Sequence, residues 1–329
     1  MSQCASVSLD LDNKWSYLKT HGNDAWQAHP SYLDTVIPRI LESLERLRIR
    51  ITFFVVGQDA ALAQNEAALR SLAAAGHEIA SHSFHHDPWL HLYSEDELEV
   101  ELTKAEEAIE SATGYRPTGF RGPGFSLSTG TLRVLARRGY QYDATVFPNL
   151  LNPLARAYFF ATSNLSAEEK EQRKALFGSW KEALKPVKPF RWELDGRQLL
   201  ELPVTTMPVF RVPIHLSYII YLAKFSRMLA LSYFRFALLM CRLTSTEPSM
   251  LLHPLDFLGR DDDRDLRFFP GMDLDAAYKM EILERIIRML ANRHRIVTMG
   301  EHVREIEKRK FVKSIRPRSR AKPSAGGIG

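Results

Sequence analysis

The stretch SHSFHHDPW, residues 81–89, places three of the chain's eleven histidines within five positions. Imidazole is both a common metal ligand and a proton carrier near neutral pH. If the stretch makes a helical turn, His82 and His86 are four apart and point the same way, so both can grip one ion while His85 points elsewhere. A one-residue shift, with His85 in place of His86, stays open. Other groups able to do chemistry end further apolar runs: Asp10 and Asp12 in SLDLD, Arg121 in FRGPG, and His253 after SMLL. A carboxylate with two imidazoles is a common catalytic metal set that leaves coordination positions for water and substrate. A second carboxylate could take a proton from water, and a further histidine could protonate a leaving group. Singly, each is an ordinary capping, surface or core residue; their conjunction carries the reading.

The elements that must position these groups follow a regular rhythm. Residues 5–12 read as a strand, 29–49 as a helix, 50–57 as a strand ended by Gly57, 63–76 as a helix and 77–81 as a strand. Residues 94–114 read as a helix opened by Ser94 and an acidic first turn. A short strand and loop at 117–124, a helix at 128–139 and a strand at 140–147 complete the first half. Strands separated by helices imply parallel βαβ units. Their number favours a (β/α) barrel over an open doubly wound sheet, and in barrels catalytic groups stand at the C-terminal strand ends. No GxGxxG follows the first strand, which removes the simplest dinucleotide reading.

Residues 150–190 interrupt this rhythm as an inserted helical segment, and 191–206 resume as two short strands, a hairpin around Asp195-Gly196. Residues 214–241 are strongly apolar, with only Lys224, Arg227 and Arg235 charged. The plainer reading is a buried or dimer-forming helix pair; an interfacial membrane element is the alternative. A strand runs into a loop at 249–257, an amphipathic helix spans 273–294, and 295–310 give a last strand and helix.

Composition bounds the rest. With 45% hydrophobic and 25% charged residues, the chain of 329 residues is ordinary globular material. Cys4 and Cys241 offer no disulfide framework and read as reduced packing residues. From Lys308 onward there are eight basic residues and no acidic one, so the net charge of +5 belongs to this tail. Residues 312–329 are expected to be disordered and solubilising, with contact to an anionic membrane as the alternative. A basic tail without a basic folded face argues against nucleic acid as a partner. The N-terminal residues lack a signal-peptide pattern and no long uncharged apolar run occurs, so a cytoplasmic location is expected, with peripheral contact at the inner membrane face through 214–241 or the tail as a variant.

Taken in order, these segments resemble the polysaccharide deacetylases, also called the NodB-homology or carbohydrate esterase 4 family. SLDLD stands where that family has a TFDDG-like motif; ITFFVVG resembles its second strand; GHEIASHSFHH, FRGPGF, GYQYDATVFP and LLHP resemble later motifs. The resemblance covers roughly residues 5–150 and 195–300. It implies a distorted (β/α)7–8 barrel of the NodB type, one catalytic domain over 1–311 with helical insertions at about 150–190 and 214–243. It implies hydrolysis of an N-acetyl or similar N-acyl group from an amino sugar. Asp12, His82 and His86 would bind a divalent metal, zinc first, with cobalt, nickel or manganese as alternatives. Asp10 would be the general base, Arg121 would orient it by an ion pair, and His253 would be the general acid. A backbone N–H just after Pro123 would help stabilise the oxyanion. Substrate contacts are expected from Pro123, Gly124, Phe125, Tyr142, Asp143, Trp89 and Trp15, with His85 a bystander at the cleft. His215 has no assigned role.

The first motif departs from the family in being Asp-x-Asp, which strand alternation would put on one face. The missing secretion signal favours a small amino-sugar glycoside, a natural-product intermediate or a polyprenyl-linked sugar over an extracellular polymer. A deformylase or deacetylase acting on a polyprenyl-linked sugar at the cytoplasmic membrane face, and a non-catalytic sugar-binding protein on the same fold, are the alternatives.

Overall fold

The computed structural model describes residues 3–151 and 182–317. Its strands are β1 (Cys4–Asp10), β2 (Thr52–Val55), β3 (Glu78–Ser81), β4 (Gly119–Phe120), β5 (Tyr142–Asp143), β6 (Phe190–Leu194), β7 (Arg197–Glu201), β8 (Thr206–Met207), β9 (Val212–Pro213), β10 (Ser249–Leu252), β11 (Arg295–Val297) and β12 (Ser314–Ile315). The main sheet runs β10-β1-β2-β3-β4-β5-β7-β6-β12, with β11 also paired to β1, while β8 and β9 form a separate hairpin. Every pairing in the main sheet is parallel except β6 with β7. This is the mainly parallel, barrel-like α/β arrangement that the rhythm of the sequence predicts. Among the described residues its outer strands, β10 and β12, do not pair with each other.

Local sequence explains the elements. Strands β1 and β2 are buried along their whole length, as apolar strands covered on both faces must be. The helix Glu95–Thr113 starts at a capping box, Ser94 with Glu97, and stops at Gly114 with φ +80°. The helix Leu33–Leu47 turns Leu33, Val36, Ile37, Ile40 and Leu44 to the core at helical spacing. It packs there with the helices Ala63–Ala74 and Ala276–Ala291 over β1, β2 and β10.

Asp195 and Gly196, with φ +48° and +85°, turn β6 into β7, as the Asp-Gly signal requires. The apolar stretch after β9 is two helices, Leu216–Phe225 and Arg227–Leu243, broken at Ser226, whose extended backbone ends one helix and whose hydroxyl caps the next. The helical insertion expected at 150–190 lies mostly outside the described residues.

The tail departs from its expectation. Residues 312–317 are described, and Ser314 and Ile315 add β12 to the sheet beside Arg191 and Trp192. Ile315 packs on the core cluster of Phe190, Trp192 and Leu199. A strand edge with unpaired backbone groups gave even this polar segment partners. Residues 318–329 lie outside the described residues.

Candidate metal centre and its surroundings

Parallel register sets the site. Leu9 pairs with Leu252 and Asp10 with Phe54, while Ser81 pairs with Phe120. The residues one or two beyond the ends of β1, β3, β4 and β10 therefore gather along one C-terminal edge: Asp12, His82, Arg121 and His253.

Asp12, His82 and His86 converge, with one potential ligand atom from each lying within 4.8 Å of the others. Asp12 Oδ1 is 3.4 Å from His82 Nε2 and 2.9 Å from His86 Nε2. His82 Nδ1–H donates to the Arg121 carbonyl at 2.7 Å, which fixes the tautomer and aims the Nε2 lone pair at Asp12. Asp12 Oδ1 and both ring nitrogens of His86 are shielded from solvent, yet make no hydrogen bond among the described residues. Buried polar atoms facing one point without bonding each other are what a cation site requires. One carboxylate and two imidazoles fit zinc and the related divalent transition metals.

The electrostatics agree. Burial would push the Asp12 carboxyl up, but His86 and His82 hold it well below the usual carboxylate range. Burial works to lower His82, yet Asp10, Asp12 and the Arg121 carbonyl raise it. The cluster favours positive charge.

The histidines are not on a helical turn, contrary to the spacing argument. His82–His86 is a loop in which Ser83 (φ +63°) and His86 (φ +54°) take left-handed backbone. That bend, not helical periodicity, brings the two rings together, at 5.1 Å between centroids. Such residues cost about 1–3 kcal/mol each and persist where their surroundings over-determine them. Glu101 supplies much of that determination. Its Oε1 accepts the backbone N–H groups of Phe84 and His85, both at 2.8 Å, and its Oε2 pairs with His85 Nδ1 at 2.6 Å. His85 is thereby held away from the metal cluster.

Asp10 is bound differently. Arg121 is fully buried and meets Asp10 Oδ1 at 2.5 Å. The same guanidinium reaches Ser8 Oγ and the Ala144 carbonyl, and lies 4.2 Å over the Phe54 ring. His253 is half-buried. Its Nδ1 is 3.1 Å from Ser217 Oγ, and its backbone N–H donates to Asp256 Oδ2. Burial raises the Asp256 carboxyl, with His253 opposing. His215 stands beside His253, at 6.2 Å between rings, and burial with the neighbouring His253 pushes it down to about 3.

The expected substrate contacts divide. Gly124 is exposed and Phe125 half-buried, both with left-handed backbone, φ +56° and +60°, on a loop whose Pro123 is buried. A side chain at Gly124 would press on Pro88 at 3.0 Å. Trp89 is half-buried, with Lys19 over its ring.

Three others are corrected by burial. Trp15 is 1% exposed; its indole N–H donates to Asp59 Oδ1 and its ring meets His86 edge-on, so it supports the metal loop from beneath. Tyr142 is fully buried and its hydroxyl donates to Glu78, at the start of β3 and away from the site's edge. Asp143 is also fully buried; it accepts from Thr145 Oγ1, which in turn accepts the Gly122 N–H. Asp143 thus steadies the FRGPG loop from behind.

Asn13, Asp59, Glu101 and Ser217 complete the site and were missed. Asn13 follows the Asp-x-Asp directly and donates to Asp59 Oδ1 at 2.7 Å. That adjacency was the available signal. Nothing set Glu101 apart from its acidic neighbours on the same helix.

The fold and this site define a mainly parallel α/β protein whose strand ends bring together two imidazoles and one carboxylate that could hold a metal ion. Residues 23–143, somewhat over a third of the chain, match the family described as polysaccharide deacetylase, the NodB-homology or carbohydrate esterase 4 group. The matched span holds His82, His86 and Arg121; Asp10 and Asp12 precede it and His253 follows it. The chain is 27% identical over 161 residues to a peptidoglycan deacetylase of Helicobacter pylori, covering 48% of this chain and 54% of that protein. It is 30% identical over 146 residues to a peptidoglycan deacetylase-like protein of Gibberella zeae, covering 43% and 42%. The chain thus spans about half the length of these curated relatives. Among solved structures, a Mycobacterium smegmatis protein assigned to the polysaccharide deacetylases superposes with a TM-score of 0.63 at 22% identity, covering 98% of this chain and 95% of that one. That likeness shows the shared fold.

Proposed function

We propose that the chain is a metal-dependent hydrolase that removes an N-acetyl or similar N-acyl group from an amino sugar. The carrying observation is the juxtaposition of two differently bound aspartates at one strand end, Asp12 facing His82 and His86 and Asp10 facing Arg121. The relatives named as a peptidoglycan deacetylase and a peptidoglycan deacetylase-like protein support the reaction class.

Asp12, His82 and His86 would hold the divalent cation. When bound, it supplies a Lewis acid beside the scissile carbonyl and acidifies water. Arg121 occupies Asp10 Oδ1 and leaves Oδ2 to accept a proton from the attacking water. As the C–N bond breaks, His253 Nε2–H gives a proton to the departing amine, while Ser217 holds the other ring nitrogen. The products are the free amine and a carboxylate. The bend at Gly124–Phe125, with Gly124 exposed, would meet the acyl group.

The test is acetate or formate release from N-acylated amino-sugar glycosides, with metal content measured in parallel. Asp10→Asn is expected to retain metal and lose activity; Asp12→Asn is expected to lose both. Full activity in Asp10→Asn would sink the mechanism. Bound metal in the wild type, with no turnover of any N-acyl sugar tried, would favour a sugar-binding protein.

A further inference from the structure

We propose that the outer face of the helix pair Leu216–Phe225 and Arg227–Leu243 docks on an anionic lipid bilayer. A surface helix normally turns charged residues to solvent. Arg227–Leu243 buries Ala230, Leu231, Phe234, Ala237, Leu238 and Cys241 inward, and its outer face is apolar as well. Met228 is 77% exposed, Leu229 54%, Phe236 45%, Leu239 47% and Leu243 69%. Phe225, 67% exposed, stands at the break between the helices, so its apolar group projects from a corner. No helix among the described residues is long and apolar enough to cross a membrane. The geometry is that of an element lying in the interface, about 26 Å long at the helical rise.

Charge selects the occupant. Between Glu201 and Glu247 the sequence has five basic residues (Arg211, Lys224, Arg227, Arg235 and Arg242) and no carboxylate. Lys224 pairs with Asp273 and Arg227 with Glu281, on the side of the helix Ala276–Ala291. Arg235 and Arg242 lie exposed among the apolar residues and have no ion pair among the described residues. Projecting apolar groups with free cations between them complement lipid tails beneath acidic headgroups. A second copy of the same face would bring like charges together. The same helix pair carries Ser217, which holds His253, so docking would bring the site's edge to the bilayer.

The surface stands on geometry and charge alone, so its test is independent of turnover. The full chain is floated with vesicles of phosphatidylcholine, with and without phosphatidylglycerol. Binding to the acidic vesicles is expected at low salt, falling severalfold at 0.5 M salt. The triple variant Met228→Asp, Leu229→Asp, Leu239→Asp should lose at least tenfold in bound fraction, with the thermal midpoint unchanged. Arg235→Gln with Arg242→Gln should weaken binding to acidic vesicles by roughly tenfold or more and leave that to neutral ones unaltered. Absence of flotation at low salt overturns the proposal, as does a dimer that dissociates on the triple substitution without vesicle binding. A large drop in thermal midpoint in the triple variant would mean that the face is already packed, and would also overturn it.

Discussion

The loop after β3 and the helix pair Leu216–Leu243 each support a histidine at the same sheet edge, and they do so by opposite means. His82 and His86 are buried and held over a few residues by backbone groups and two carboxylates, Asp12 and Glu101. His253 is half-buried, and its ring is held by a hydroxyl 36 residues away on a helix whose partner exposes apolar groups. Local, charge-assisted bonds make the first region stiff. The second is set by helix docking, which leaves its outer surface free for other use. A mutation should therefore cost stability in the first region and activity alone in the second.

The sharpest test of that contrast is Arg121→Leu, at the residue after β4 whose carbonyl holds His82 of the first region. It removes a fully buried cation and strands Asp10 without its partner. Breaking a buried pair from one side costs about 3–5 kcal/mol. Thermal or urea unfolding should show that loss, and a near-native midpoint would mean the guanidinium is less essential to the strand ends than its contacts imply.

On the other side of the comparison, His253→Ala should leave unfolding and metal content near native values while the proposed deacylation falls by about 10²–10⁴-fold, the usual worth of the general-acid role proposed for it. If metal were lost along with activity, the two regions would be one site energetically and the contrast would fail.

A smaller effect is expected at Glu101→Gln, about 1–3 kcal/mol from the buried bonds it weakens. Its pH dependence has a definite sign. Burial acts to raise the Glu101 carboxyl, but bonds from His85 and Phe84 bring it below its ordinary value. The unfolded chain then binds more protons than the folded one in acid. Glu101's contribution is complete above the ordinary value of about 4.3 and declines as pH falls below it. The variant's unfolding curve should lack that part of the acid slope; an unchanged slope would remove Glu101 from the loop's support.

Much of this site was legible because its chemistry is local. Asp10, Asp12, His82, Arg121 and His253 each follow an apolar run, and parallel register does the rest. The loop geometry was not legible: left-handed Ser83 and His86 carry no glycine signal and depend on Glu101, fifteen residues beyond His86. Trp15, Tyr142 and Asp143 were misplaced for a related reason. Residue type cannot tell an aromatic or carboxylate facing a cleft from one packed beneath it, and here indole, phenol and carboxyl all found buried polar partners. The tail misled in the other direction, since low complexity gave no hint that an open sheet edge would take up Ser314 and Ile315.

The smallest effect expected is at Met228→Ser. Met228 sits in the first turn of Arg227–Leu243 and is 77% exposed, while the cap bond from Ser226 goes to Leu229. The substitution leaves that bond and every buried contact in place, so unfolding should shift by no more than about 0.5 kcal/mol. Removing an exposed apolar group also improves solubility rather than fold. A loss of 2 kcal/mol or more would show that this surface is already covered in the folded protein. The second region would then be held as closely as the first, and the difference between them would lie only in which partner does the holding.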